Sequence, residues 1–140
     1  MICADKIIFN HIKSVSSAFC LKNKDMLPDI DTEQRVEFLV KTFYSRVLKD
    51  ELLAPHFKNV DFPSHFPRMI AFWSFILLDK EGYKGNVFDK HVGLNIHEPE
   101  FERWIFHFNK TVNDFFEGKK ANLAKQRAEL LKYTFLSKLK

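Results

Sequence analysis

The sequence predicts an all-α fold, and three observations carry that reading. Glycine and proline supply only nine of 140 residues, about half the roughly 12% of ordinary proteins, which leaves too few turn-formers for a sandwich or barrel of many short strands. Apolar residues recur at spacings of three and four in five separate segments, the pattern of one face of an α-helix. Sixteen of the aromatic residues are Phe, a ring without a polar handle that must be buried against something apolar. A chain of this length can bury roughly 70% of the surface its unfolded form exposes, enough for one core.

The elements follow in order. Ile8, Ile12, Val15 and Phe19 predict a helix over 5–21, an extra helical segment within a leading extension of residues 1–30. The main domain is expected over 31–140. Asp31 is placed to cap its first helix, with Gln34 three residues on in the capping-box position. That helix carries Val36, Val40, Phe43 and Val47 as its stripe. Tyr44 sits one step round, so its hydroxyl should point near the buried seam but not along it. Leu52 to Phe57, with Pro55, reads as a short turn with apolar anchors.

Pro67 lacks an N–H and suits only the first turn of a helix, so the next helix is expected to start near Pro63 or Ser64. It carries His65, Met69, Trp73 and Ile76. From Met69 to Leu78 it is apolar nearly all round, which predicts a central helix enclosed by others. Residues 79–90 loosen, with Gly82 and Gly85, and lead to His91. Pro99 reads as a first helical residue, with Glu98, Glu100 and Glu102 favouring the positive helix start. The stripe Phe101, Trp104, Ile105, Phe108, Val112 and Phe115 follows, and Gly118 ends it. Ala124, Ala128, Leu131 and Phe135 define the last helix.

The net charge of +4 is uneven, because seven Lys and Arg residues from Lys119 to Lys140 face Glu129 alone. Interleaved with an apolar stripe and accompanied by no nucleic-acid-binding motif, these cations read as a solvated outer face. Cys3 and Cys20 are too few for a disulfide scaffold and point to a reducing compartment. The longest apolar run, Met69 to Leu78, is ten residues, too short to span a bilayer. The expectation is a cytoplasmic chain with neither a membrane nor a nucleic-acid partner.

No Gly-rich phosphate loop, paired CxxC, HExxH or nucleophile elbow is present. Taken singly, the remaining candidates have ordinary readings. A histidine beside a loop, such as His91, or in a helix-opening turn, such as His65, is more often solvated or capping. Tyr44 and Trp104 suit a core in which their polar atoms find a carbonyl, and Met69 suits core filling. His11, His56, His97 and His107 have no partner at metal-ligand spacing and read as ordinary. A non-heme iron or zinc site is disfavoured for the same reason.

Taken in order, these residues form a more specific pattern. Phe43-Tyr44, Pro55-His56-Phe57, and His65 eight residues before Trp73 in Ala71-Phe72-Trp73 are followed by Tyr83-Lys84-Gly85-Asn86, His91, Leu94 and Phe101-Glu102-Arg103-Trp104. Over roughly 31–135 this resembles the group III truncated hemoglobins of bacteria. The resemblance implies the truncated-globin fold, a two-over-two helical sandwich, with heme b as cofactor. It implies His91 as the proximal ligand of a five-coordinate iron, with Tyr44, His65 and Trp104 around the distal side. Phe43, Phe57, Met69, Phe72, Ile96 and Phe101 would shape the heme pocket. Arg68 resembles a position that pairs with a heme propionate. The family usually has proline four residues before the proximal histidine, where this chain has Val87.

Elementary chemistry agrees with that implication. Heme is a flat apolar macrocycle with two carboxylates, so it wants ring-lined walls and a cationic rim, which Arg68 and Lys90 can supply. A neutral His91 imidazole can bind iron while a backbone carbonyl in the preceding loop takes its other N–H. The implied partners are oxygen, nitric oxide and carbon monoxide, with an unidentified electron donor. A tight set of donors slows ligand release, which favours dioxygenase or peroxidase-like chemistry over bulk transport. The competing reading is a cofactor-free helical interaction module whose contact face is the basic last helix.

Overall fold

The computed structural model describes residues 26–81, 83 and 96–138. The helix expected over 5–21, and the loop with Val87, Lys90, His91 and Leu94, lie outside the described residues. Four α-helices and one 3-10 turn are present, with no strand among the described residues: α1 (Glu33–Val47), the 3-10 helix (Ala54–Phe57), α2 (Phe62–Leu78), α3 (Glu98–Phe115) and α4 (Lys119–Lys138). Helix α1 packs on α2 and α3 on α4, and the two pairs meet through α1–α3 and α2–α4. This is the two-over-two arrangement expected from the resemblance.

Stripe residues of every helix reach the core. Val36, Leu39, Val40, Phe43 and Val47 enter from α1, Phe72, Trp73 and Leu77 from α2, and Ile105, Phe108 and Val112 from α3. Helix α4 contributes Ala121, Ala124 and Ala128, all essentially inaccessible, and such small side chains let its backbone come close to its neighbours. At the centre, Phe108 stacks on Trp73 at 5.0 Å and on Trp104 at 6.0 Å, and meets the edge of Phe43 at 5.3 Å. Three helices are thereby joined through one ring.

Several local expectations are corrected. Thr32, not Asp31, caps α1: its side chain accepts from the Arg35 N–H at 3.1 Å, while Asp31 pairs with the Arg35 guanidinium. Helix α2 begins at Phe62, which places Pro67 inside the helix rather than in its first turn. The bond lost is the one to the Pro63 carbonyl, and both prolines are exposed, where water can take its place. The same helix is not enclosed all round, since Phe75 is 51% exposed. Helix α3 starts one residue before Pro99, and the Glu100 carboxylate accepts from the His97 N–H at 2.9 Å, half of a capping box.

The basic last helix is less free than its charge suggests. Lys132 is buried, 4% exposed, between Glu102 at 3.2 Å and Glu129 at 3.0 Å. Lys120 Nζ donates to the Leu77 carbonyl at 2.6 Å and Lys125 Nζ to Asn113 at 2.7 Å. These cations hold the fold's own elements together.

The start of α4 is sealed by a residue far away in sequence. The Asp29 carboxylate accepts from the N–H groups of Lys120 at 3.0 Å and Ala121 at 2.8 Å, as well as from Ile30 at 2.8 Å. Burial pushes its carboxyl up, but these donors and the Lys120 charge outweigh burial and hold it below its ordinary value. Gly118 sits directly beneath, with φ +137, and a Cβ there would lie 2.5 Å from the Asp29 Cγ. Both the backbone conformation and the approach require glycine. Next to it, Ile30 is fully buried.

Two stability outcomes follow from this seal. Gly118→Ala should lose about 1–3 kcal/mol in chemical denaturation, the cost of a strained backbone residue. Asp29→Ala should lose about 1 kcal/mol at neutral pH, as for a helix cap. Because the Asp29 carboxyl is held low, its contribution is present at neutral pH and disappears on acidification through the carboxylate range, about pH 4. Wild-type and variant stabilities should therefore converge in acid; a gap that persists there would mean the carboxylate charge is not what caps α4.

Candidate functional site

Helices α1, α2, α3 and α4 and the 3-10 turn enclose a small internal cavity of about 50 Å³. Tyr44, Phe57, Met69, Phe72, Trp104 and Phe101 form its wall together with Ile96. All seven are residues the sequence reading assigned to a heme pocket, drawn from five separate places in the chain. Phe43 stands one layer behind, edge-on to Tyr44 at 5.0 Å and to Trp104 at 5.7 Å.

Tyr44 is more deeply buried than its place beside the stripe predicts, at 3% exposure. Its ring is held by the edges of Phe57, Phe62, Phe66 and His65. Burial pushes its phenol well above the ordinary range. The hydroxyl thus stays protonated and keeps its capacity to donate. It lies 3.2 Å from His65 Nε2, one turn up α2. That contact joins the two helices and brings two of the expected distal residues together, with Tyr44 in the cavity wall and His65 behind it rather than in the wall. Trp104, half-buried on α3, is the third expected distal residue and also lines the cavity; its indole carries one N–H.

Arg68 is placed on the exposed side of α2, where it donates to the Ser64 side chain at 3.1 Å. Lys90 and His91 lie outside the described residues. The wall also contains residues that the sequence reading passed over: Leu53, His56, Trp73, Glu100, Leu131 and Phe135. Leu131 and Phe135 lie four residues apart on the stripe of α4, a spacing that marked them as buried without saying against what. His56 had been read as ordinary. It lies 3.4 Å from Glu100 across the wall, a pairing no local spacing reveals. Burial raises the Glu100 carboxyl, but the N–H groups of His97 and Glu100 itself, with the bond and charge of His56, hold it below its usual value.

Below this wall, Asp50 ties the connector after α1 to α3. It is buried and accepts from His107 Nε2 at 2.6 Å, Arg103 Nη1 at 2.8 Å and the Leu52 N–H at 2.8 Å. Burial opposes its charge, yet these donors and the Arg103 charge keep it far below the carboxylate range. Arg103 and His107 flank Trp104 and Phe108, so the clamp fixes the stretch of α3 that faces the cavity.

A model of the bacterial-like globins matches residues 27–136. The chain belongs to that family. The globin is 28% identical over 114 residues to the group 3 truncated hemoglobin of Campylobacter jejuni, a match covering 76% of this chain and 90% of that protein. It is 26% identical over 103 residues to the group 1 truncated hemoglobin of Tetrahymena pyriformis, covering 73% and 84%. Its fold superposes on the crystal structure of the Campylobacter jejuni group III truncated hemoglobin with a TM-score of 0.70, at 28% identity and covering 78% and 91% of the two chains. The resemblance read from the sequence is borne out.

Membership of the globins implies heme, and the wall suits such a group in chemistry: mostly rings and aliphatic side chains, with the Tyr44 phenol, the Trp104 indole and the His56–Glu100 pair as its polar groups. Among the described residues no helix is long and apolar enough to cross a membrane.

The buried phenol makes a direct prediction. In an alkaline titration followed by phenolate absorbance, wild type and Tyr44→Phe should gain the same signal for as long as both stay folded. A smaller gain in the variant within the folded range would place the Tyr44 hydroxyl in contact with water.

Proposed function

We propose that this globin holds heme b as a five-coordinate iron on His91 and binds oxygen and related diatomic ligands, nitric oxide and carbon monoxide, beneath Tyr44, His65 and Trp104. The observation that carries the reading is the buried Tyr44, its hydroxyl protonated and 3.2 Å from His65 Nε2, in the wall of a largely apolar cavity that Trp104 also lines. Heme, when bound, supplies the iron at which a diatomic ligand is taken up. The chain's own part is to decide how that ligand is held.

His65 controls the direction in which Tyr44 donates. When Nε2 carries the proton, it donates to the Tyr44 oxygen, and the phenol hydrogen is free to point into the cavity. When Nε2 is bare, it accepts the phenol hydrogen and the cavity loses that donor. Trp104 can only donate. In a cavity walled by Phe57, Met69, Phe72 and Phe101, such bonds are stronger than in water. Each contributes about 1–3 kcal/mol, roughly one to two decades in release rate. Slow release suits redox chemistry, dioxygenation or a peroxidase-like reaction, better than bulk transport. An electron donor of unidentified kind is then required. Arg68 and Lys90 are assigned to the propionates, Ile96 to the pocket wall and Phe43 to the layer behind it.

The visible spectrum is the first check: the purified or hemin-supplemented protein should show a strong Soret band, and a protein that stays colourless sinks the reading. His91→Ala should abolish or greatly weaken heme retention, and unchanged heme content would show that another residue holds the iron. Tyr44→Phe should speed oxygen dissociation by about tenfold or more, the loss of one buried donor. An unaltered rate would mean the hydroxyl does not reach the ligand.

A further inference from the structure

The segment between α1 and α2 is held against α3 at two points of unequal strength. At one end Asp50 is buried and takes three donors at 2.6–2.8 Å. At the other, His56 of the 3-10 helix meets Glu100 of α3 at 3.4 Å, with both side chains partly exposed, 20% and 15%. Between the two holds lie Leu53 and Phe57, which form the cavity wall with His56 and Glu100 themselves. The other described wall residues are aromatic or aliphatic. A pair of partly exposed ionisable groups therefore forms part of a wall whose other described members are rings and aliphatic side chains.

Glu100 does not depend on His56 for a partner. Its other oxygen accepts from the His97 N–H at 2.9 Å and caps α3 whether or not the imidazole is present. A partly exposed pair of this kind is weak, whereas breaking a buried, multiply bonded carboxylate is costly. The wall segment is thus fixed at Asp50 and releasable at His56.

We propose that His56 and Glu100 are the latch of a side entrance to the cavity, which admits small uncharged ligands between Phe57 and Phe101 by a path separate from Tyr44 and His65. The pair controls which molecules reach the pocket and how fast. This inference rests on the reading of the cavity as the ligand pocket, and its test separates the two.

Trp73 and Trp104 are the chain's only tryptophans, and both line the cavity. Acrylamide, a small neutral quencher of their fluorescence, therefore reports access in the full chain prepared without hemin. Carbon monoxide recombination after photolysis reports access in the heme-loaded protein. The variants are His56→Ala and Glu100→Gln, the second keeping an oxygen for the His97 N–H, with Glu98→Gln as control and far-UV circular dichroism to confirm the fold. Both variants should raise quenching and recombination by about two- to fivefold, the change in open population expected on losing a partly exposed pair. Rates equal to the control in a folded variant overturn the latch. Raised quenching with unchanged recombination overturns its role as a ligand route. Raised quenching in a chain that takes up no hemin leaves the latch standing and removes the heme reading instead.

Discussion

The ring of Phe108 is the constraint on which the remaining structure depends. It is essentially inaccessible, stacked between Trp73 and Trp104 and met edge-on by Phe43. Each such ring pair is worth about 0.5–1.5 kcal/mol beyond its buried area. The geometric consequence matters more than the sum. With Phe108 seated, α1, α2 and α3 share one register, and the residues next to the stack, Tyr44 beside Phe43 and Phe72 beside Trp73, are turned toward a common cavity.

Polar groups finish what the rings begin, and they do so with carboxylates placed on connectors and helix starts. Asp29 seals α4, Asp50 clamps the connector after α1 to α3, and Glu100 both caps α3 and meets His56. The first two accept backbone N–H groups together with contacts far along the chain, so each replaces water at several donors at once. The last is partly exposed, and its contact with His56 is the longest of these, at 3.4 Å. The connector after α1 is thus ordered by long-range bonds to α3 as well as by its own turn bonds.

The cavity combines these two devices. Its walls are largely rings that the Phe108 stack orients, and among its polar groups the Tyr44 phenol keeps its proton because it is buried. The globin thus sets a phenol kept neutral by burial against an imidazole on the neighbouring helix, with an indole from α3 in the same cavity wall as the phenol.

The amino-acid sequence by itself determined the helices, their buried stripes, and the order in which Tyr44, His65 and Trp104 occur. Periodicity is a local consequence of 3.6 residues per turn, so it can be read without a partner in view. Local rules were less reliable at boundaries: Thr32 took the cap expected of Asp31, and Pro67 was carried inside a helix because its lost bond faces solvent. Only the tertiary structure decided that Tyr44 lies fully buried against His65, that Lys132 is enclosed by two glutamates, and that His56 meets Glu100 in the cavity wall. Apart from Glu129, one turn from Lys132 on α4, those partners are 21 to 44 residues apart, and no spacing rule links them. They meet because apolar faces had to be covered, and the polar groups carried along found one another where the packing left them.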